Sequence, residues 1–146
     1  PLAQGVFEAL TKNENLQNQI LVSSAGTSHW HVGNPPDSRM QQTARSHNVL
    51  LTSRGRQFQA SDFKQMDLVL AMDHSNLNIL QQMRPEAELQ DKLFLFRSFD
   101  PDNNGDLDVP DPYYGGDQGF ENVYQMVERT CPKVLDHLKT QLANKT

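Results

Sequence analysis

Leu2, Ala3, Val6, Phe7 and Leu10 recur at the spacing of one face of an α-helix, with Pro1 where proline suits a first helical turn. A first helix therefore starts at or next to Pro1. The apolar run Ile20-Leu21-Val22 leads into Ser23-Ser24-Ala25-Gly26, which predicts a strand running into a turn. Residues 27–37 are broken by Gly33, Asn34, Pro35 and Pro36, the composition of a loop. A second helix is predicted over 38–47, and Ser61-Asp62-Phe63 starts another. Residues 48–51 are too short to assign.

Two segments are apolar without a break. Leu68-Val69-Leu70-Ala71-Met72, bounded by Asp67 and Asp73, and Leu93-Phe94-Leu95-Phe96 both predict buried strands. Between them, Ser75 is expected to cap a helix carrying Leu77, Ile79, Leu80 and Met83. A polar loop covers 100–119. The final helix is predicted from about Phe120 to Leu142, with Val123, Met126, Val127, Val134, Leu135 and Leu138 inward and a kink at Pro132.

Continuously apolar strands alternating with helices imply one α/β domain over residues 1–146, a three-layer, doubly wound parallel sheet. The order nevertheless begins with a helix. In such sheets the first strand sits centrally, and the loop after it forms the ligand site at a helix N-terminus. The pattern thus predicts a central strand and its loop that are absent from the 146 residues. Its neighbours would be left with unpaired backbone groups, at about 1–3 kcal/mol each when buried. Against a net stability of about 5–15 kcal/mol, the 146 residues are expected not to fold alone.

Composition narrows the function. The chain is 36% apolar with net charge −5, and its mean hydropathy is −0.66. It carries no basic stripe of the kind that neutralises nucleic-acid phosphates. One cysteine, Cys131, cannot form an intrachain disulfide. No apolar run approaches the roughly 20 residues of a membrane helix, and no signal peptide precedes the first element. A monomeric cytoplasmic enzyme or binding domain is the expectation, with no nucleic-acid or membrane partner.

Several ordered segments carry more specific information. They are Ser24-Ala25-Gly26-Thr27-Ser28, Trp30-His31-Val32-Gly33-Asn34-Pro35-Pro36-Asp37, Gly55-Arg56-Gln57, Asp67 to Asp73 with Ser75-Asn76-Leu77, and Asp111-Pro112-Tyr113-Tyr114-Gly115-Gly116. Phe120-Glu121 and Val123-Tyr124 follow. Together they resemble the low molecular weight protein-tyrosine phosphatases over essentially the whole chain. Pro1-Leu2-Ala3 is similar to the residues immediately after that family's Cys-x5-Arg-Ser loop, which the 146 residues lack.

The resemblance implies hydrolysis of phosphotyrosine in proteins through a phosphocysteine, without a cofactor or metal. Backbone N–H groups and an arginine of the absent loop would hold the phosphate, and their positive field would favour the thiolate. Asp111 matches the family's proton donor. A tyrosyl leaving group has a conjugate acid of pKa about 10, so a placed carboxylic acid is worth about 10²–10⁴ in rate. Pro112 restricts Asp111 to extended angles, which helps aim it. Trp30, Tyr113 and Tyr114 would wall a deep slot for a flat ring. Cys131 lies among core positions of the final helix and reads as a buried structural thiol. Ser53 stands where some members carry a histidine, and Gln4 where many carry a glutamate.

Other signals compete. Asp100, Asp102, Asn104, Gly105, Asp106, Leu107, Asp108 and Asp111 fit the positions of a calcium-binding EF-hand loop, but a strand rather than a helix precedes them. The expected reading is a coincidence of an acidic loop. His29 and His31 flank Trp30 on a loop, and His47, His74 and His137 read as ordinary surface or helix-end residues. Asp73 is expected to make a structural hydrogen bond, and Arg56 fits either role. Alternative readings are a phosphoarginine phosphatase or arsenate reductase of the same fold, or a non-catalytic phosphatase-like or calcium-binding module.

Overall fold

The computed structural model describes residues 1–27, 32–83, 92–112 and 116–144. In chain order the elements are α1 (Leu2–Asn13), α2 (Ser38–Ser46), α3 (Asp62–Gln65), β1 (Val69–Ala71), α4 (His74–Met83), β2 (Leu93–Leu95), a 3-10 turn (Phe96–Phe99) and α5 (Gly116–Asn144). β1 and β2 pair in parallel, with Val69, Leu70 and Ala71 opposite Leu93, Phe94 and Leu95.

Strand alternation divides the core into two faces. Val69, Ala71, Leu93 and Leu95 pack with Phe58, Phe63 and Leu80, which places α3 and α4 on one face. Leu70 and its neighbours Leu68 and Met72 turn to the other face. There they meet Leu2, Val6 and Phe7 of α1 and Val127, Cys131, Val134 and Leu135 of α5. Helices thus cover both faces of a parallel pair, the α/β layering that the apolar strands imply.

Boundaries differ from expectation in instructive places. The predicted strand at 20–22 forms no ladder. Ile20 and Val22 pack toward the α1–α5 core while Leu21 is 89% exposed. The alternation is that of a strand, but no described segment lies alongside to pair with it. The sole isolated bridge among the described residues falls farther on, between Gly26 and Gln57. Asp73, not Ser75, caps α4: its carboxylate accepts the Asn76 N–H at 2.7 Å, three positions into the helix as an N-cap should. α5 begins earlier than predicted, at Gly116, and stays continuous through Pro132.

Residues 48–51, unassigned by pattern, owe their path to Asn48. Its φ of 63° is left-handed, a conformation asparagine tolerates better than most residues. The Val49 N–H then donates back to the Ala44 carbonyl at 2.9 Å, closing the end of α2. Val49 and Leu51 turn into the core and Leu50 points out.

Candidate active-site loop

The connection from β2 to α5 is polar, yet it is held at both ends. It opens on Asp100, whose side chain is fully shielded from solvent. Both carboxylate oxygens are used. Arg129 of α5 donates from Nε at 2.8 Å and from Nη2 at 2.9 Å, Arg97 donates from Nε at 3.1 Å, and the Asp102 N–H donates at 2.8 Å. Burial alone would raise the Asp100 carboxyl; the hydrogen bonds from Arg129, the Asp102 amide and Arg97 outweigh it and hold the group below the ordinary carboxylate range.

The far end of the same loop is tied to the sheet. The Val109 N–H donates to the Met72 carbonyl at 2.8 Å, just past the end of β1. Arg97 Nη1 donates to the Asp108 carbonyl at 2.8 Å. The Asp108 carboxylate accepts the His74 N–H at 2.9 Å and lies 2.6 Å from His74 Nδ1, at the first turn of α4. Asp111 follows two residues after Val109, exposed and bracketed by Pro110 and Pro112. The loop's tie to Met72 brings this acid to the C-terminal edge of the parallel strands, where α/β proteins bind ligands. On its other side α5 approaches closely: a Cβ added at Gly119 would lie 3.2 Å from the Pro112 carbonyl oxygen.

A second loop is fastened by backbone pairing to residues 55–58. The Gly26 N–H donates to Arg56 C=O at 2.8 Å, and Phe58 N–H donates to Gly26 C=O at 2.8 Å. Farther along, Gly33 N–H donates to Gly55 C=O at 2.7 Å and Gly55 N–H to Asn34 C=O at 2.8 Å. These bonds pin both ends of the segment that carries Trp30. Arg56 pairs with Asp62 at 3.0 Å, a structural engagement. Trp30, Tyr113, Tyr114, His29 and His31 lie outside the described residues.

The remaining candidates have defined partners. Gln4 donates to Val22 C=O at 3.4 Å and accepts from Ser24 Oγ at 2.6 Å, joining α1 to the extended segment beside it. Ser53 lines a small hollow with Pro1 and Gln4. His47, at the C-terminal end of α2, and His74, exposed at the first turn of α4, are helix-end residues as expected. His47 lies 2.8 Å from Glu121 and stacks on Tyr124 with ring centroids 3.8 Å apart. His137 packs edge-on against Phe94 and Phe99. Asp73 has the structural role expected of it, as the α4 cap.

Cys131 is 1% exposed, and burial pushes its thiol up to about 12. A thiol so held stays protonated and shielded at neutral pH, so it cannot act as an attacking thiolate. The calcium-like loop is equally compromised. Its first ligand, Asp100, is occupied by two guanidinium groups, and Asp102 and Asp106 point outward. Among the described residues no group of three or more His, Cys, Asp or Glu is arranged to hold a metal ion. No described helix is long and apolar enough to cross a membrane.

The family model for low molecular weight phosphotyrosine protein phosphatase matches residues 1–144. The chain belongs to this family. It is 40% identical to a low molecular weight protein-tyrosine-phosphatase of Streptomyces coelicolor, over 97% of this chain and 87% of that protein. Among solved structures, a protein tyrosine phosphatase from Entamoeba histolytica superposes with a TM-score of 0.91 at 33% identity, covering 97% of this chain and 89% of the other. A structure described as a drosophila arginine phosphatase gives a TM-score of 0.83 at 33% identity, covering 95% and 89%. Family membership agrees with the α/β layering and with the resemblance read from Asp111 and the ordered segments before it.

Within this phosphatase fold, sequence reasoning overlooked Arg97, Arg129 and Gly119. Arg97 sits between Phe96 and Phe99 yet is only 4% exposed, and a charge flanked by buried aromatics was the available signal. Arg129 lies 29 positions from its partner Asp100 and offered none.

Proposed function

We propose that the protein hydrolyses phosphotyrosine in protein substrates, with Asp111 as proton donor. The observation that carries the reading is an exposed carboxyl group on a loop fastened to the C-terminal edge of the sheet at Val109–Met72. A thiolate attacks phosphorus in line; a sulfur–phosphorus bond forms as the bond from phosphorus to the tyrosyl oxygen breaks. Asp111 gives its proton to the departing oxygen, sparing the expulsion of a bare phenolate. Water then attacks phosphorus, Asp111 takes its proton, the sulfur–phosphorus bond breaks, and inorganic phosphate leaves. Cys131 is not that thiolate. The reading assigns the nucleophile and the phosphate-binding arginine to a Cys-x5-Arg loop, a motif that the 146 residues do not contain. The same reading assigns substrate binding to Trp30, Tyr113 and Tyr114.

In the full-length polypeptide, Asp111→Asn should lower kcat/KM for phosphotyrosine by about 10²–10⁴-fold. The loss should be smaller for p-nitrophenyl phosphate, whose leaving group departs without a proton. An unchanged value for phosphotyrosine would remove Asp111 from the mechanism. A coding sequence with no Cys-x5-Arg upstream of Pro1 would remove the phosphocysteine.

One likeness favours a second reading, hydrolysis of phosphoarginine, because the drosophila structure is described as an arginine phosphatase. Parallel assays with phosphotyrosine and phosphoarginine peptides decide between them through the ratio of kcat/KM. Arsenate reduction finds no support here, since the 146 residues offer one cysteine, buried, and no thiol pair.

A further inference from the structure

We infer that Arg97 is a positioning residue for Asp111, acting by clamping the two ends of the loop that carries it. The inference rests on the proposed role of Asp111. Arg97 lies in the 3-10 turn just before the loop, with its side chain 5% exposed. Its Nε donates to Asp100 where the loop departs, at 3.1 Å, and its Nη1 donates to the carbonyl of Asp108 where the loop returns, at 2.8 Å. The same Nη1 is 3.3 Å from the Asp106 carboxylate. One planar group therefore fixes both ends of the excursion.

The return point matters for chemistry. Asp108 precedes Asp111 by three residues, and between them Val109 is bonded to Met72. With Pro110 and Pro112 restricting the backbone, little freedom remains between the clamp and the acid. A displacement of about 1 Å in a reacting group can cost on the order of 10²-fold in rate. The guanidinium suits this task because its donors diverge in a rigid fork, which a single ammonium cannot reproduce. Asp100 does not depend on Arg97 alone, since Arg129 holds it by two bonds. Loss of Arg97 therefore leaves the departure to Arg129, and leaves the return to the Val109–Met72 bond and the contacts of Asp108 with exposed His74.

The test uses Arg97→Met in the full-length polypeptide, below the melting temperatures of both forms. Two measurements are made: kcat/KM for phosphotyrosine and for p-nitrophenyl phosphate, and amide exchange at Val109. Exchange at Val109 should quicken by about 10-fold or more while the α1 amides are unchanged. Activity on phosphotyrosine should fall by about 10-fold or more, with a much smaller fall on p-nitrophenyl phosphate. Equal losses on both substrates, or an unchanged Val109, would overturn the clamp. If the unaltered polypeptide hydrolyses neither substrate, the phosphatase reading fails, and exchange at Val109 still decides whether Arg97 holds the loop. Arg97→Lys, which keeps the charge beside Asp100 without the fork, serves if the Met variant does not fold; the same two measurements decide.

Discussion

Replacing Asp100 with asparagine is the most searching perturbation of the candidate active-site loop. The substitution preserves shape but removes the charge and turns one acceptor oxygen into a donor. That donor would face Arg129 and Arg97, which now donate to Asp100 at 2.8, 2.9 and 3.1 Å. The Arg97 guanidinium would keep the Asp108 carbonyl and the solvent-facing Asp106 carboxylate. Breaking a buried ion pair from one side costs about 3–5 kcal/mol, a large share of the roughly 5–15 kcal/mol of a whole domain. At this chain length such a loss corresponds to a fall of about 10 °C or more in Tm.

Urea and thermal unfolding of the full-length polypeptide at neutral pH measure it directly. The pH dependence gives a second check. The Asp100 carboxyl is depressed in the folded state, so its stabilisation is fully present above the unfolded carboxylate value of about 3.9. It is lost as pH falls through the lower folded value. The gap between native and variant should therefore close in acid. A loss under about 1 kcal/mol, or a gap independent of pH, would refute the proposed energetics.

Cys131 should resist iodoacetamide in the native state and react once denatured, as read by peptide mass mapping; its alkylation in folded protein would contradict a thiol pushed up to about 12. Gly119→Ala should add helix propensity, worth about 1 kcal/mol, while crowding the Pro112 carbonyl. Stability should change little and kcat/KM for phosphotyrosine should fall, so unaltered kinetics would show that the approach of α5 is immaterial. Calorimetric titration with millimolar calcium should give no heat of binding, because Asp100 is already engaged by Arg97 and Arg129.

The layers of the fold were legible because burial leaves periodic marks. The unbroken apolar runs that became β1 and β2, and the spaced ones that became α1 and α5, state which faces meet the core. Ile20-Leu21-Val22 carried the same mark but forms no ladder, since strand pairing depends on a neighbour as well as on side chains. At α4, Asp73 and Ser75 were both chemically fit to cap. The choice fell to whichever side chain could meet the Asn76 amide, a matter of helix phase that composition does not specify. Asp111 was singled out because Asp111-Pro112-Tyr113-Tyr114 resembles the family's proton-donor segment. The anchoring of its loop was not legible: Asp100 read only as the first position of a calcium-like loop, and its pairing with Arg97 and with Arg129 of α5 left no mark. Long-range ion pairs leave no period in the chain.

The doubly anchored loop also separates its tip from its ends. Between Asp102 and Leu107 the chain is largely exposed and turns through left-handed Asn104 and Gly105. Each doubling of a flexible loop costs only about 0.6 kcal/mol in closure entropy. Insertions at Asn104-Gly105 would lengthen the tip while Arg97, Arg129 and Met72 kept hold of its ends. This turn is therefore a natural place to graft an epitope or a fluorescent reporter.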